Sequence, residues 1–306
     1  MKNILVIGGS YFLGKVFVEE LAKEKDYSIH VLNRGNRPLK MDGVNEIVCD
    51  RQNAALLKTR IPFLNFDAVV DFCAYTPDDI QIILSVIPEN SIKQYVYIST
   101  SSVYQDVLDL PIKENAPKLT GPQPELGPYA EYAFNKWKTE EKLMTLCSKT
   151  GIFYTSLRPV IIYGKYNYAP RESYFFDLIL NNKTVILPDN PLPLFSFVSV
   201  WDVAKIIMQC IGNEKVCNRA FNLSGEEMIS YKRLIEVFRK VTGKKIATKK
   251  MNSKKIDQMR IPLPFPLDNH LIYSGTLIKD VLNFHYAPFE DEMKKTYQFY
   301  IGKNSF

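Results

Sequence analysis

A tyrosine and a lysine stand four residues apart in Tyr132-Ala-Phe-Asn-Lys136, and a threonine, Thr100, follows a short apolar run upstream of them. On a helix, side chains four apart project from one face, the lysine a turn beyond the tyrosine. An ammonium held beside a phenol favours the phenolate and lowers a pKa that is otherwise about 10. That would make the tyrosine a proton carrier usable near neutral pH. A surface helix with a snorkelling lysine carries the same pattern. Its weight therefore comes from the elements around it.

The first of these is at the amino end. Asn3 to Ile7 is short, Val/Ile-rich and stopped by glycine, as a buried strand is. Gly8-Gly9-Ser10-Tyr11-Phe12-Leu13-Gly14 follows at once, and Leu13, Val16, Phe17 and Leu21 then recur at helical spacing. Strand, glycine turn and helix are the setting in which backbone binds a dinucleotide: the turn is tight, and the helix start offers N–H groups and positive dipole to a pyrophosphate. Gly8 and Gly14 fit the first and third places of GxxGxxG, but Tyr11 holds the second, where a missing side chain lets the diphosphate approach. With the phenol turned outward the loop still binds; otherwise the cofactor sits differently or is absent. The first outcome is the expectation, with Gly8, Ser10, Tyr11, Phe12, Leu13 and Gly14 as the phosphate cradle.

Further strands are expected at Ser28 to Leu32, Glu46 to Cys49, Asp67 to Phe72, Gln94 to Ile98 and Ile152 to Leu157, alternating with helices. That alternation implies a doubly wound, Rossmann-type α/β fold, with a parallel sheet covered on both faces. Its ligand crevice lies beyond the carboxyl ends of the strands, where strand order reverses. Asn33-Arg34, Asp50-Arg51, Ala74, Ser99-Thr100 and Pro159 all close strands, so they should gather there with the glycine loop. After the second strand no acidic residue awaits the ribose hydroxyls; Arg34 and Arg37 could pair with a 2′-phosphate, which leans the choice between NAD and NADP towards NADP. On the Tyr132 helix, Ala133, Trp137, Met144 and Cys147 form an apolar stripe, with Tyr132 and Lys136 beside it.

The remaining segments suggest a second, smaller region. Tyr163 to Pro193 is irregular around one helical stretch, Tyr174 to Leu180, and reads as a substrate-covering insertion. Val198 to Cys210 is a strand edge and a helix, Ala220 to Leu223 a last sheet strand, and Tyr231 to Thr242 and Glu290 to Tyr300 are helices. The expected division is a dinucleotide-binding domain of residues 1–160 plus about 195–224, interleaved with a substrate domain of residues 161–194 plus 225–306.

Composition narrows the chemistry. The 46% hydrophobic and 24% charged residues are ordinary globular values. No apolar run approaches the roughly 18 residues that cross a bilayer, and Ile4 to Ile7 is too short for a signal peptide. Five cysteines without a CxxC spacing suggest free thiols in a reducing cytoplasm. Three scattered histidines suggest no metal site. With no GxSxG elbow and no nucleophile–His–Asp pattern, hydrolysis is disfavoured. The net charge of +6 suits anionic ligands, and six lysines fall between Lys244 and Lys255, most simply a solvated surface.

The chain resembles, from end to end, the extended short-chain dehydrogenases/reductases of the NAD-dependent epimerase/dehydratase family. The residues that carry the resemblance are Val6-Ile-Gly-Gly-Ser-Tyr-Phe-Leu-Gly14, Asp50, Tyr97-Ile-Ser-Thr-Ser-Ser-Val-Tyr104, Tyr132-xxx-Lys136-xxx-Glu140, Leu157-Arg-Pro-Val-Ile-Ile-Tyr-Gly164, Val200-Trp-Asp-Val-Ala204 and Phe221-Asn-Leu-Ser-Gly225. The opening is similar to a subgroup that reads GGTRFIG, which includes chloroplast stem-loop RNA-binding proteins.

The resemblance implies Tyr132 as acid/base, Lys136 on the nicotinamide ribose and lowering the tyrosine pKa, Thr100 hydrogen-bonding the reacting oxygen, and Asp50 at the adenine amine. It also implies a homodimer, and an oxidoreductase or epimerase acting on a secondary alcohol or ketone of a sugar-like, nucleotide-linked substrate. Ser101-Ser102 stand where related 4,6-dehydratases carry Asp-Glu, which argues against that reaction. Phe195 stands where many epimerases place a diphosphate-clasping arginine; Arg171, Arg219 and Arg260 are available as substitutes. The alternative is a non-catalytic or RNA-binding protein on the same scaffold.

Overall fold

The computed structural model describes residues 1–303. Strands are β1 (Lys2–Ile7), β2 (Tyr27–Asn33), β3 (Val44–Val48), β4 (Ala68–Asp71), β5 (Gln94–Ile98), β6 (Phe153–Pro159), β7 (Ile161–Tyr163), β8 (Val185–Pro188), β9 (Phe195–Ser199), β10 (Arg219–Leu223), β11 (Met228–Ile229) and β12 (Thr248–Met251). Helices are α1 (Phe12–Leu21), α2 (Ala54–Arg60), α3 (Pro77–Val86), α4 (Tyr132–Thr150), α5 (Glu172–Leu180), α6 (Val200–Cys210), α7 (Tyr231–Thr242), α8 (Ser253–Gln258), α9 (Thr276–Leu282) and α10 (Phe289–Lys303).

Seven strands form one parallel sheet in the order β10-β6-β5-β4-β1-β2-β3. The chain builds outward from β1 to β3, then returns to the other side of β1 with β4. Strand order therefore reverses between β1 and β4, where a doubly wound sheet opens its crevice. Every residue of β4 and β5 is buried, as expected of strands covered on both faces. On one face Val16 and Phe17 of α1 pack with Ile206 and Ile207 of α6. On the other, Ile80 and Ile83 of α3 pack with Leu143 and Cys147 of α4.

The second region has its own core, centred on Phe175, Phe176, Phe195, Phe197, Phe238 and Phe265. β9 pairs with β7 and β11 in a small sheet apart from the seven strands, while α6, directly after it, packs on the large sheet. β8 and β12 pair in parallel, an arrangement hidden in a stretch that reads as irregular and lysine-rich. The five cysteines are all free, and among the described residues no helix is long and apolar enough to cross a membrane.

Candidate functional site at the carboxyl edge of the sheet

The glycine turn shows why its residue types are needed. Gly8 has φ +87°, a left-handed conformation that favours glycine. A Cβ on Gly14 would fall 2.3 Å from the Gly8 carbonyl oxygen, so only glycine lets α1 start this close to β1. Tyr11, the residue before α1, has an extended backbone and gives the helix no side-chain cap, and the first turn carries no acidic residue. The leading N–H groups of α1 thus keep their hydrogen-bonding capacity for an anion at the crevice. The donor set fits a dinucleotide pyrophosphate.

Tyr11 does not lie free over this turn. Its ring is 38% exposed and stacks on Tyr168 with centroids 5.0 Å apart and planes 20° apart. The Arg37 guanidinium lies 3.9 Å from the centre of the same ring. Phe12, with φ +41°, meets Tyr168 edge-on at 5.8 Å, and Leu13 is buried in the core. Ser10 is half-buried.

At the β2 end the Asn33 side chain is spent locally. Its Nδ2 donates to Glu46 at 2.6 Å and its Oδ1 accepts from the Gly35 N–H at 2.7 Å. Glu46, on β3, is an acidic neighbour of this strand end that sequence order conceals; its Oε1 also accepts from the Leu39 N–H. Arg34 is exposed. Asp50 is exposed and accepts from the Gln52 N–H.

Arg51 corrects an expectation. Rather than offering donors to a cofactor, its guanidinium makes a bidentate contact with buried Asp71 at 2.9 Å on each arm, and donates to the Asp79 carbonyl at 2.8 Å. Tyr95 donates to the same Asp71 carboxylate. Although burial opposes it, the Arg51 charge keeps the Asp71 carboxyl below its ordinary range. Arg51 braces the β3, β4 and α3 ends beneath the crevice.

Thr100 and Tyr132 do come together. Thr100 follows β5, is 9% exposed, and its Oγ1 contacts Ser102 Oγ and accepts from the Ser102 N–H, both at 3.2 Å. Its hydroxyl is near enough to Tyr132 to favour the phenolate. Tyr75, after β4, places its ring 6.4 Å from that of Tyr132. Arg171 also favours the Tyr132 phenolate through its charge.

Lys136 departs from the sequence reading in where it sits on its helix. It lies in the middle of the buried face of α4, with Ala133, Thr139, Glu140, Leu143 and Cys147, not beside an apolar stripe; Met144 is 39% exposed. The reason is that its polar end is satisfied: Nζ donates to the Ala74 carbonyl at 2.9 Å and the Ile98 carbonyl at 2.6 Å, and sits 4.3 Å from the centre of the Tyr97 ring. Burial pushes the Lys136 pKa down to about 8. Desolvation of its hydroxyl end raises the phenol of Tyr132 from its ordinary value, although the residue as a whole is 41% exposed. The lysine ties α4 to the ends of β4 and β5 through these two carbonyls.

One helical turn on, Glu140 is fully buried and paired with Arg158 of β6, whose Nη2 is 2.7 Å from Oε2. Ser99 donates to Glu140, and Arg158 donates to the Tyr104 hydroxyl at 2.8 Å. Ser99, assigned to the cofactor by sequence, thus ties the Thr100 segment to α4. Pro159 ends β6 and is buried.

Of the three substitute arginines, Arg219 starts β10, at the opposite edge of the sheet, and donates to the Lys215 carbonyl. Arg260 is exposed beyond α8. Arg171 is the one beside Tyr132. Phe195 is fully buried against Phe197, Tyr231 and Phe265, so its place is core. Tyr75, Tyr168 and Glu46 were missed by sequence reasoning; Tyr75 directly follows Ala74 at a strand end, which was the available signal.

Comparison with known proteins agrees with this architecture. The model of the NAD dependent epimerase/dehydratase family matches residues 4–224. The chain belongs to that family. It is 26% identical over 256 residues to the chloroplast stem-loop binding protein of 41 kDa b of Arabidopsis thaliana, covering 79% of this chain and 64% of that protein. The chain thus spans less than two thirds of that relative's length. It is 25% identical over 282 residues to a UDP-glucose 4-epimerase of Lactobacillus helveticus, covering 79% of this chain and 82% of the relative. Among solved structures, a UDP-N-acetylglucosamine 4-epimerase from Methanobrevibacter ruminantium, in complex with UDP-N-acetylmuramic acid, superposes with a TM-score of 0.80 over 99% of both chains at 20% identity. That likeness is one of fold.

Proposed function

We propose that the protein is an NAD(P)-dependent epimerase or oxidoreductase acting on a secondary alcohol or ketone of a nucleotide-linked sugar. The observation that carries this reading is the meeting of Tyr132 and Thr100 at the edge of the sheet that also bears the uncapped, glycine-opened start of α1. The names of the relatives support the substrate class by analogy. A dinucleotide bound here supplies the hydride acceptor and donor.

In this reading the Tyr132 phenol exchanges a proton with the substrate oxygen while the Thr100 hydroxyl steadies that oxygen. A phenol protonated at rest is ready to donate to a carbonyl oxygen. To accept a proton near neutral pH it needs positive charge nearby, and Arg171 already acts in that direction. With serines at 101 and 102 there is no carboxylate next to Thr100 to drive elimination, so the reading favours epimerisation or reduction over 4,6-dehydration. Arg34, exposed and in no ion pair among the described residues, keeps NADP slightly ahead of NAD.

The test is to incubate the protein with NAD+ or NADP+ and a panel of UDP-hexoses and follow interconversion by proton NMR. Tyr132→Phe is expected to lower turnover by about 10²–10⁴-fold while binding the dinucleotide as wild type does. Undiminished turnover removes Tyr132 from the mechanism.

A second reading has its own observation. Of 39 cationic and 33 acidic residues, seven and one respectively lie between residues 244 and 260, so the rest of the chain is balanced and the whole net charge of +6 sits in this segment. Lys245, Lys249, Lys250, Lys254 and Lys255 are exposed, and none is in an ion pair among the described residues. Together with the stem-loop-binding name of one relative, this supports RNA as an additional ligand. Retention of an RNA hairpin that weakens with salt and disappears when Lys244, Lys245, Lys249 and Lys250 become Glu is the expected outcome; no retention at low salt contradicts it.

A further inference from the structure

Between β5 and α4 the chain doubles back on itself. The Gln105 N–H donates to the Pro117 carbonyl at 3.0 Å and the Leu119 N–H to the Val103 carbonyl at 2.9 Å, which sets Lys118 opposite Tyr104. Gln105 Nε2 adds a bond to the Lys118 carbonyl at 2.9 Å. Backbone pairing thus fixes where this lysine stands. Its side chain is half-buried, with Nζ 4.8 Å from the centre of the Tyr104 ring and 5.8 Å from that of Trp137 on α4. The Nζ donates to the Glu114 carbonyl at 2.8 Å and to the Ala116 carbonyl.

A second cation shares these rings. The Arg158 guanidinium lies 5.2 Å from the centre of the Tyr104 ring and 5.8 Å from that of Trp137. Arg158 has its own carboxylate, Glu140, at 2.7 Å, whereas the partners of Lys118 are carbonyls. An arginine keeps its proton in a protein; a lysine can release one. Desolvation and the nearby Arg158 charge both favour the neutral amine, and they push Lys118 down to about 8 against the pull of Glu140 and Glu114. Two N–H groups are enough for its two carbonyl bonds, so losing the third proton sacrifices neither and frees a lone pair. A desolvated lysine beside another cation is the arrangement that makes an amine nucleophilic near neutral pH. Lys136, also lowered to about 8, is only 3% exposed and out of reach of a reagent.

We propose that Lys118 is a site of covalent acylation, taking a small acyl group from an acyl phosphate. Held between two rings and a backbone turn, the amine admits a small electrophile more readily than one on a bulky carrier. The Nζ lone pair attacks the acyl carbon and the amide C–N bond forms. The bond from that carbon to the phosphate oxygen breaks, phosphate leaves with the electron pair, and the surplus proton on nitrogen passes to water. The product amide is neutral and keeps one N–H, so one carbonyl bond is lost and the charge facing Arg158 disappears. The turn affected is one that braces the large sheet, since Glu114 Oε1 also accepts from the Asn222 N–H of β10 at 2.9 Å. None of these contacts needs a dinucleotide, so the site stands apart from the reaction proposed above.

The test uses the wild-type protein. It is incubated with acetyl phosphate over a range of pH and quenched early, and acetylation at each lysine is quantified by peptide mass spectrometry. At pH 7.5 Lys118 is expected to react about tenfold faster than exposed Lys250. Its rate should level off above pH about 8, while that of Lys250 keeps rising towards the ordinary lysine value of about 10.4. In concentrated urea the two lysines should react alike. A Lys118 rate no higher than that of Lys250 in the folded protein overturns the proposal. So does a preference for Lys118 that survives in urea, because it would then belong to the local sequence and not to the cluster.

Discussion

At Tyr132 the local chemistry runs against the simplest account of a tyrosine–lysine pair. Desolvation raises the phenol and pushes the Lys136 ammonium down to about 8, while two carbonyls occupy that ammonium. The dinucleotide-free protein should therefore contain no Tyr132 phenolate near neutral pH. Ultraviolet difference titration checks this: wild type and Tyr132→Phe should give the same phenolate signal up to pH about 9. A tyrosinate step below pH 8 that vanishes in Tyr132→Phe would mean that Lys136 activates the phenol unaided. Spacing along one helix predicted that Tyr132 and Lys136 lie on neighbouring turns. It could not say where the ammonium points, because its acceptors come from β4 and β5 ends distant in sequence.

At the level of elements, α4 is held by charges as well as by apolar contacts. Glu140 and Arg158 are both buried, and their network reaches Ser99 and Tyr104. Removing one partner leaves the other charged and unpaired, which typically costs about 3–5 kcal/mol. Glu140→Ala should accordingly lower unfolding free energy in urea by about that amount, and a change under about 1 kcal/mol would show that the pair is not needed to hold α4. The apolar stripe read from the sequence catches only Ala133 and Cys147 of this face, because three of its other members, Lys136, Thr139 and Glu140, are polar. The strands of the large sheet were easier, since burial on both faces leaves runs such as Ile4 to Ile7 and Gln94 to Ile98. β8, β11 and β12 were not legible: each is two to four residues long, and their pairing depends on partners far along the chain.

For the whole molecule, buried acids that stay protonated set the alkaline limit. Burial raises Cys73 to about 11 and Cys147 and Tyr104 to about 12, and it holds Tyr95, Tyr97 and Tyr163 well above the ordinary phenol range. The unfolded chain ionises such thiols and phenols from pH about 8.5 to 10. It then binds fewer protons than the folded chain, so stability falls as pH rises through that range. Lys136 works in the opposite direction between about 8 and 10.5, but it is a single group. The urea midpoint should be lower at pH 10.5 than at pH 7.5; an unchanged or higher midpoint would contradict this balance. A parallel, doubly wound sheet with a crevice where strand order reverses followed from the strand and turn pattern; the order itself, which puts that reversal between β1 and β4, comes from the structure. The Tyr11–Tyr168 stack did not, because no local pattern links a glycine turn to a loop beyond β7. What the account most needs is a dinucleotide at this edge of the sheet, and equilibrium dialysis of the purified protein against labelled NAD+ and NADP+, with any co-purified dinucleotide counted, measures it most directly. Saturation at one dinucleotide per chain is the predicted result; a protein that holds and binds neither would contradict the account.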